Sequence, residues 1–156
     1  MRVVIQRVSE ASVSVDGKVV GEIGQGLLLL AGVHRDDTEE SIRKAADRVV
    51  GLRIFSDVEG KMNLSIKDAL ETPEILAVSN FTVYGDASKS RRPSFTQSAP
   101  YEAGRSGFEL FCQELQKLGV RVATGEFGAD MSVRLVNDGP VTLVLDTEAP
   151  GNASES

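Results

Sequence analysis

GLLLLAGVHRDDTEESIRKAADRVVG, residues 26–51, changes period halfway along, and that change decides the fold class. Residues 26–33 are a continuous apolar run bounded by glycines. The run is too short for a helix of ordinary length, so it reads as a strand buried on both faces. Over 38–50 the period becomes helical, with Ile42, Ala45, Ala46 and Val49 on one face. Asp37 and Glu40 stand where a capping box would open that helix, and Gly51 where it would stop.

Working outward, residues 1–8 alternate around Val3, Ile5 and Val8, and residues 12–22 read as two strands joined at Asp16-Gly17, a tight-turn dipeptide. Residues 52–55 look like another strand before a turn at 57–60. EILAVSNFTVY, 74–84, is a longer β run that turns polar near its end. Phe108, Phe111, Cys112, Leu115 and Leu118 share one face of a second helix that Gly119 should end. Residues 120–124 and 131–136 are strand-like, and 141–146 should return against 131–136 through Asn137-Asp138-Gly139-Pro140. The sum is an α+β domain with antiparallel-rich sheets or a barrel-like β core and two main helices, its strands mostly in hairpins and not in βαβ units.

With 156 residues the chain fits one domain, read as 1–148, that buries about 70% of its unfolded surface. The tail 149–156 is small, polar and acidic, and is expected to be disordered. Seventeen Lys plus Arg against 23 Asp plus Glu give a net charge of -6, which argues against a protein that coats nucleic acid through bulk positive charge. A local basic patch stays compatible with that balance. One cysteine and one histidine leave no material for an intramolecular disulfide or a Cys/His zinc site, so no metal or cofactor is expected and a reducing, cytoplasmic setting fits. Arg7 and Glu10 interrupt any apolar signal core near the start.

The residues that could carry chemistry are few. His34, the single imidazole, lies in a charged turn and reads as a surface histidine. Cys112, on an apolar helix face, reads as core. Ser79, Asn80 and Thr82 supply two hydroxyls and an amide at a strand end, as apt to satisfy a turn as to form a site. Lys89, Arg91 and Arg92 put three cations into four positions, suited to phosphate contacts or to a solvated loop. Composition and spacing stop there, without naming a reaction.

Five separated segments then match one family in its own order: IQRVSEASVSVDG (5–17), RIFSDVEGKMNLS (53–65), SNFTVYGD (79–86), RRPSF (91–95) and NDGPVT (137–142). On these segments the chain resembles the D-aminoacyl-tRNA deacylases, also called D-tyrosyl-tRNA deacylases, from residue 1 to 146. The resemblance implies a homodimeric editing hydrolase that cleaves the ester between a D-amino acid and tRNA, accepts misloaded glycine and rejects L-amino acids. It points to Ser79, Asn80 and Thr82 as catalytic positions. It also points to Phe81, Gly139 and Pro140 at the substrate, the last two in a cis Gly-Pro turn reaching the partner's site, with Arg7 holding that turn. Asn80 departs from the family's usual glutamine by one methylene. The basic loop becomes a tRNA contact, because an acidic protein must concentrate its positive charge to hold a polyanion.

An aminoacyl ester is already activated, so hydrolysis can proceed on positioned N–H donors and water without a strong side-chain base. The ribose 2′-OH is expected to assist, and Thr82 reads as a positioning group, not a nucleophile. Two other readings stand beside this one: a DNA-binding factor using the same basic loop without turnover, and a structural dimer with a vestigial pocket.

Overall fold

β1 (Arg2–Val15) is long enough to serve two neighbours on one edge, and the rest of the sheet follows from that. In this computed structural model, which describes residues 1–147, its first half pairs antiparallel with β3 (Gly26–Gly32) and its second half with β2 (Lys18–Ile23). The other edge of β1 carries β8 (Ser132–Asp146) along almost its whole length. β1 and β2 meet at Asp16 (φ 51°) and Gly17 (φ 78°), the two left-handed residues of the turn that the dipeptide predicts. The tail expected to be disordered, 149–156, lies outside the described residues.

Beyond β3 the sheet turns parallel. α1 (Glu39–Gly51), the small hairpin β4 (Phe55–Ser56) and β5 (Met62–Leu64), and the single turn α2 (Ile66–Ala69) return the chain to β6 (Glu74–Ser79). β6 runs parallel to β3, and α3 (Tyr101–Lys117) then brings β7 (Arg121–Thr124) parallel to β6. The α+β architecture with two main helices is as read, but the expectation that strands sit mostly in hairpins is corrected: the β3–β6 and β6–β7 neighbours are joined by helical crossovers. The sheet curls until β2 approaches β7. A Cβ on Gly21 would lie 2.5 Å from the Thr124 carbonyl, and Arg121 Nη1 donates to the Glu22 carbonyl.

Both faces of β3 are buried, as its apolar run implies. Leu27 and Leu29 join Ile75, Ala77, Phe111 and the apolar stripe of α1 on the helical side. Leu28 packs with Val8, Val13, Leu76 and Val78 on the concave side. Since successive strand residues point to opposite faces, a one-residue slip of β3 would exchange these two cores.

Three local readings are corrected. The capping box of α1 is Thr38 with Ser41, not Asp37 with Glu40. Asp37 is engaged elsewhere: its carboxylate accepts from the buried Met1 ammonium (2.8 Å), from Ser41 Oγ (2.7 Å) and from the His34 amide (2.7 Å). The β run expected over 74–84 ends at Ser79 and continues as a 3₁₀ turn, Phe81–Tyr84. Asn137-Asp138-Gly139-Pro140 is not a hairpin turn. Val8 pairs with Asn137 and Gln6 with Thr142, so residues 138–141 bulge out of one continuous strand opposite Arg7. No helix among the described residues is long and apolar enough to cross a membrane.

Candidate active site

β6 delivers Ser79 at the end of a strand buried in the sheet, and the chain then tightens. The Asn80 amide donates to the Ala31 carbonyl (2.9 Å), the last rung on β3. The Asn80 side chain caps the 3₁₀ turn: its Oδ1 accepts from the Thr82 amide at 3.0 Å and from the Thr82 hydroxyl. Phe81 projects outward, 60% exposed, with its ring edge-on to Phe95 at 5.2 Å between centroids. Ser98 Oγ donates to the Phe81 carbonyl (3.0 Å).

Ser79, Asn80 and Phe81 form one wall of a cleft of about 530 Å³, whose other walls include Tyr101, Phe108, Phe127 and Met131. Tyr101 and Phe127 meet edge to face at 5.2 Å. Nothing in the local sequence marks Tyr101 and Phe127 as walls of one site. Tyr101 and Phe127 are far apart in sequence, and only the return of α3 across the sheet brings them together. A larger groove of about 1100 Å³ holds none of the expected site residues; Glu10, Glu22, Glu74, Arg121 and Arg134 line it.

The second group of expected residues gathers at the β8 bulge. Arg7 donates from Nη1 to the Ile54 carbonyl (2.7 Å), while its Nε lies 3.3 Å from the Asp138 carbonyl and 3.4 Å from the Asp138 carboxylate. Asn137 closes the bulge from within, Oδ1 accepting from the Val141 amide (3.0 Å) and Nδ2 donating to Thr142 Oγ1 (3.0 Å). The Gly139–Pro140 peptide is cis, and Gly139 has φ 128°, a conformation that side chains rarely adopt. Both residues are exposed.

The fold does not bring the two groups together within one chain. Arg2 Nη1 donates to the Val83 carbonyl (3.0 Å), which fixes the 3₁₀ turn at the start of β1. Arg7 lies five residues further along the same strand, about 17 Å away at roughly 3.3 Å per residue. The bulge lies on β8, whose edge away from β1 has no strand partner among the described residues. Val136, Leu143 and Val144 are exposed on that strand.

The basic loop grows from the same end as the 3₁₀ turn. Asp86 and Ser94 close it with a pair of backbone hydrogen bonds (2.8 and 3.0 Å), and Phe95 ties it to Phe81. Lys89, Arg91 and Arg92 are exposed in the loop.

His34, expected at the surface, is buried at 5% exposure, and this reading is corrected. Its ring meets Tyr84 edge-on at 5.4 Å, and its Nδ1 accepts from the Asp36 amide (3.0 Å). Burial holds its pKa below the usual histidine value, so it is a neutral acceptor in the fold. Cys112 packs against the core as read, and burial pushes its thiol up to about 12, out of the reactive range. Among the described residues no group of three or more His, Cys, Asp or Glu could hold a metal ion.

Residues 4–146 match the family model described as D-Tyr-tRNA(Tyr) deacylase. A D-aminoacyl-tRNA deacylase from Thermotoga petrophila is 54% identical over 147 residues, covering 94% of this chain and 97% of the relative. The one from Exiguobacterium sibiricum is 53% identical, covering 94% and 99%. Among solved structures, one described as c-Myc DNA Unwinding Element Binding Protein is 36% identical with a TM-score of 0.88, covering 96% of this chain and all of its own. A probable eukaryotic D-amino acid tRNA deacylase has the same fold, with a TM-score of 0.79 at 21% identity, covering 92% of this chain and 97% of its own.

Proposed function

Because the chain belongs to the D-Tyr-tRNA(Tyr) deacylase family, we propose that it is an editing hydrolase that cleaves the ester between a D-amino acid, or misloaded glycine, and the terminal ribose of tRNA. The observation that carries this reading is the capped turn at residues 79–82, opening onto an apolar cleft walled by aromatic rings. Such a cleft suits the flat base of a terminal nucleoside, which stacks on aromatic faces, while the polar strand end beside it suits the ester. Ser79, Asn80 and Thr82 serve the reacting group and Phe81 packs against the substrate.

Water attacks the carbonyl carbon, the carbonyl oxygen gains negative charge, and the ribose oxygen leaves with a proton. Positioned N–H donors stabilise the oxyanion. The ribose 2′-OH assists the attack, a reading supported by the engagement of His34 with Asp36 and Tyr84. Thr82 donates its hydroxyl to Asn80, which supports a positioning role over a nucleophilic one.

Chirality is read by Gly139 and Pro140 of a second copy. A wall that rejects one hand and ignores side-chain identity must be rigid backbone, and glycine permits the close approach. Arg7 holds the bulge. The separation of about 17 Å along β1, the free edge of β8 and the exposed Val136, Leu143 and Val144 all support an isologous homodimer in which each bulge completes the partner's site. Lys89, Arg91 and Arg92 hold tRNA phosphates.

The likeness to a structure described as a DNA-unwinding-element-binding protein supports one rival, binding of nucleic acid without turnover. Matched D-, L- and glycyl-tRNA separate the two. D-aminoacyl- and glycyl-tRNA should be cleared while L-aminoacyl-tRNA persists, and a terminal 2′-deoxy substrate should react far more slowly. Equal hydrolysis of both hands overturns the chiral wall, and binding without release of amino acid overturns the enzyme.

A further inference from the structure

The geometry points to Asn80 as a positioning residue that acts through its carbonyl oxygen, as the cap of the 3₁₀ turn, and not through its NH₂ group; this rests on the deacylase reading above. The argument starts from a donor whose identity is certain. A backbone N–H can only donate, so the Asn80 atom 3.0 Å from the Thr82 amide is the carbonyl oxygen. The Thr82 hydroxyl bonds the same atom, which leaves that oxygen with two donors from one residue.

Both contacts reach only two residues along the chain, and Asn80 has extended backbone angles (φ -151°, ψ 96°), the usual geometry of a helix N-cap. Asparagine, aspartate and serine are of the length that closes this ring; glutamine is not among the preferred caps, because its extra methylene carries the oxygen past the second amide. The cap fixes the turn beside the cleft, in which Phe81 forms part of the cleft wall and Thr82 follows it in the chain. It sets the direction of the Thr82 amide, orients the Thr82 hydroxyl with its proton committed inward and its lone pairs free to accept, and aims Phe81, whose carbonyl is held from the far side by Ser98. Loss of the cap therefore reaches the cleft through Phe81.

The test compares Asn80→Ala and Asn80→Asp in the full-length protein, measuring kcat and KM for D-aminoacyl-tRNA together with the thermal midpoint. Aspartate keeps the capping oxygen and has no NH₂ group; alanine has neither. Asn80→Ala should lower kcat about tenfold with KM changed less than threefold, the size expected when a cap is removed from a short turn. Asn80→Asp should recover most of that loss. If Asn80→Asp folds and is as slow as Asn80→Ala, the NH₂ group is what the reaction needs and the proposal is overturned. An Asn80→Ala enzyme as fast as wild type overturns it as well. Failure of wild type to release a D-amino acid would instead overturn the deacylase reading.

Discussion

Arg7→Met tests whether the β8 bulge is held by the guanidinium and whether the held bulge matters to hydrolysis. Methionine keeps the length and apolar stem of the side chain and removes its donors. The contact from Nη1 to the Ile54 carbonyl is short, at 2.7 Å, and Ile54 is only 6% exposed. Leaving that carbonyl without a partner should cost about 1–3 kcal/mol of global stability. The contacts to Asp138 are longer and lie at an exposed residue, where an ion pair contributes about 0–1 kcal/mol. The expected sum is roughly 1–4 kcal/mol, which at a urea slope of about 2 kcal/mol per molar lowers the midpoint by about 0.5–2 M. The smaller part bears on function: about 1 kcal/mol less restraint on the bulge lowers the ratio of held to released bulge about fivefold. Urea unfolding followed by fluorescence or circular dichroism reads the first number, and deacylation of D-aminoacyl-tRNA well below the midpoint reads the second. Asp138→Ala, which keeps the carbonyl, should show little of the first effect. A variant destabilised as expected that still clears D-aminoacyl-tRNA at the wild-type rate and selectivity would remove the bulge from the site. An unchanged midpoint would refute the value placed on the Ile54 hydrogen bond.

The remaining predictions concern the histidine and the basic loop. His34 is buried with its pKa below the unfolded value, so the unfolded chain binds the extra proton first as pH falls through about 6.5; stability should be full above that pH and decline below it, as the Asp36 amide loses its acceptor. His34→Gln should flatten the dependence of the urea midpoint on pH between 7.5 and 5.5, and a slope identical to wild type would show that other groups set it. Neutralising Lys89, Arg91 and Arg92 together should weaken tRNA binding and reduce the steepness of its log–log salt dependence by about 2 to 3, with the thermal midpoint unchanged; an unchanged salt slope would return the loop to solvent.

Short-range patterns determined much of this protein. The all-apolar β3 run, the helical spacing of Ile42, Ala45, Ala46 and Val49, and the left-handed Asp16-Gly17 pair each state their conformation within a few residues, because burial on two faces, a 3.6-residue stripe and φ > 0 are local requirements. The polar strand end at Ser79 and the cations at Lys89, Arg91 and Arg92 were legible for the same reason. Contacts that compete over long distances were decided only by the tertiary structure. Asp37 looks like a cap until the Met1 ammonium and the His34 amide claim its carboxylate. His34, set among charges in sequence, is buried because the 3₁₀ turn brings Tyr84 against it. Asn137-Asp138-Gly139-Pro140 has the composition of a hairpin turn, but β1 is long enough to pair on both sides of it, and strand pairing along that length turns it into a bulge facing Arg7. The separation of the bulge from residues 79–82 is likewise invisible in the sequence, since it is a distance measured along a strand that neither segment belongs to.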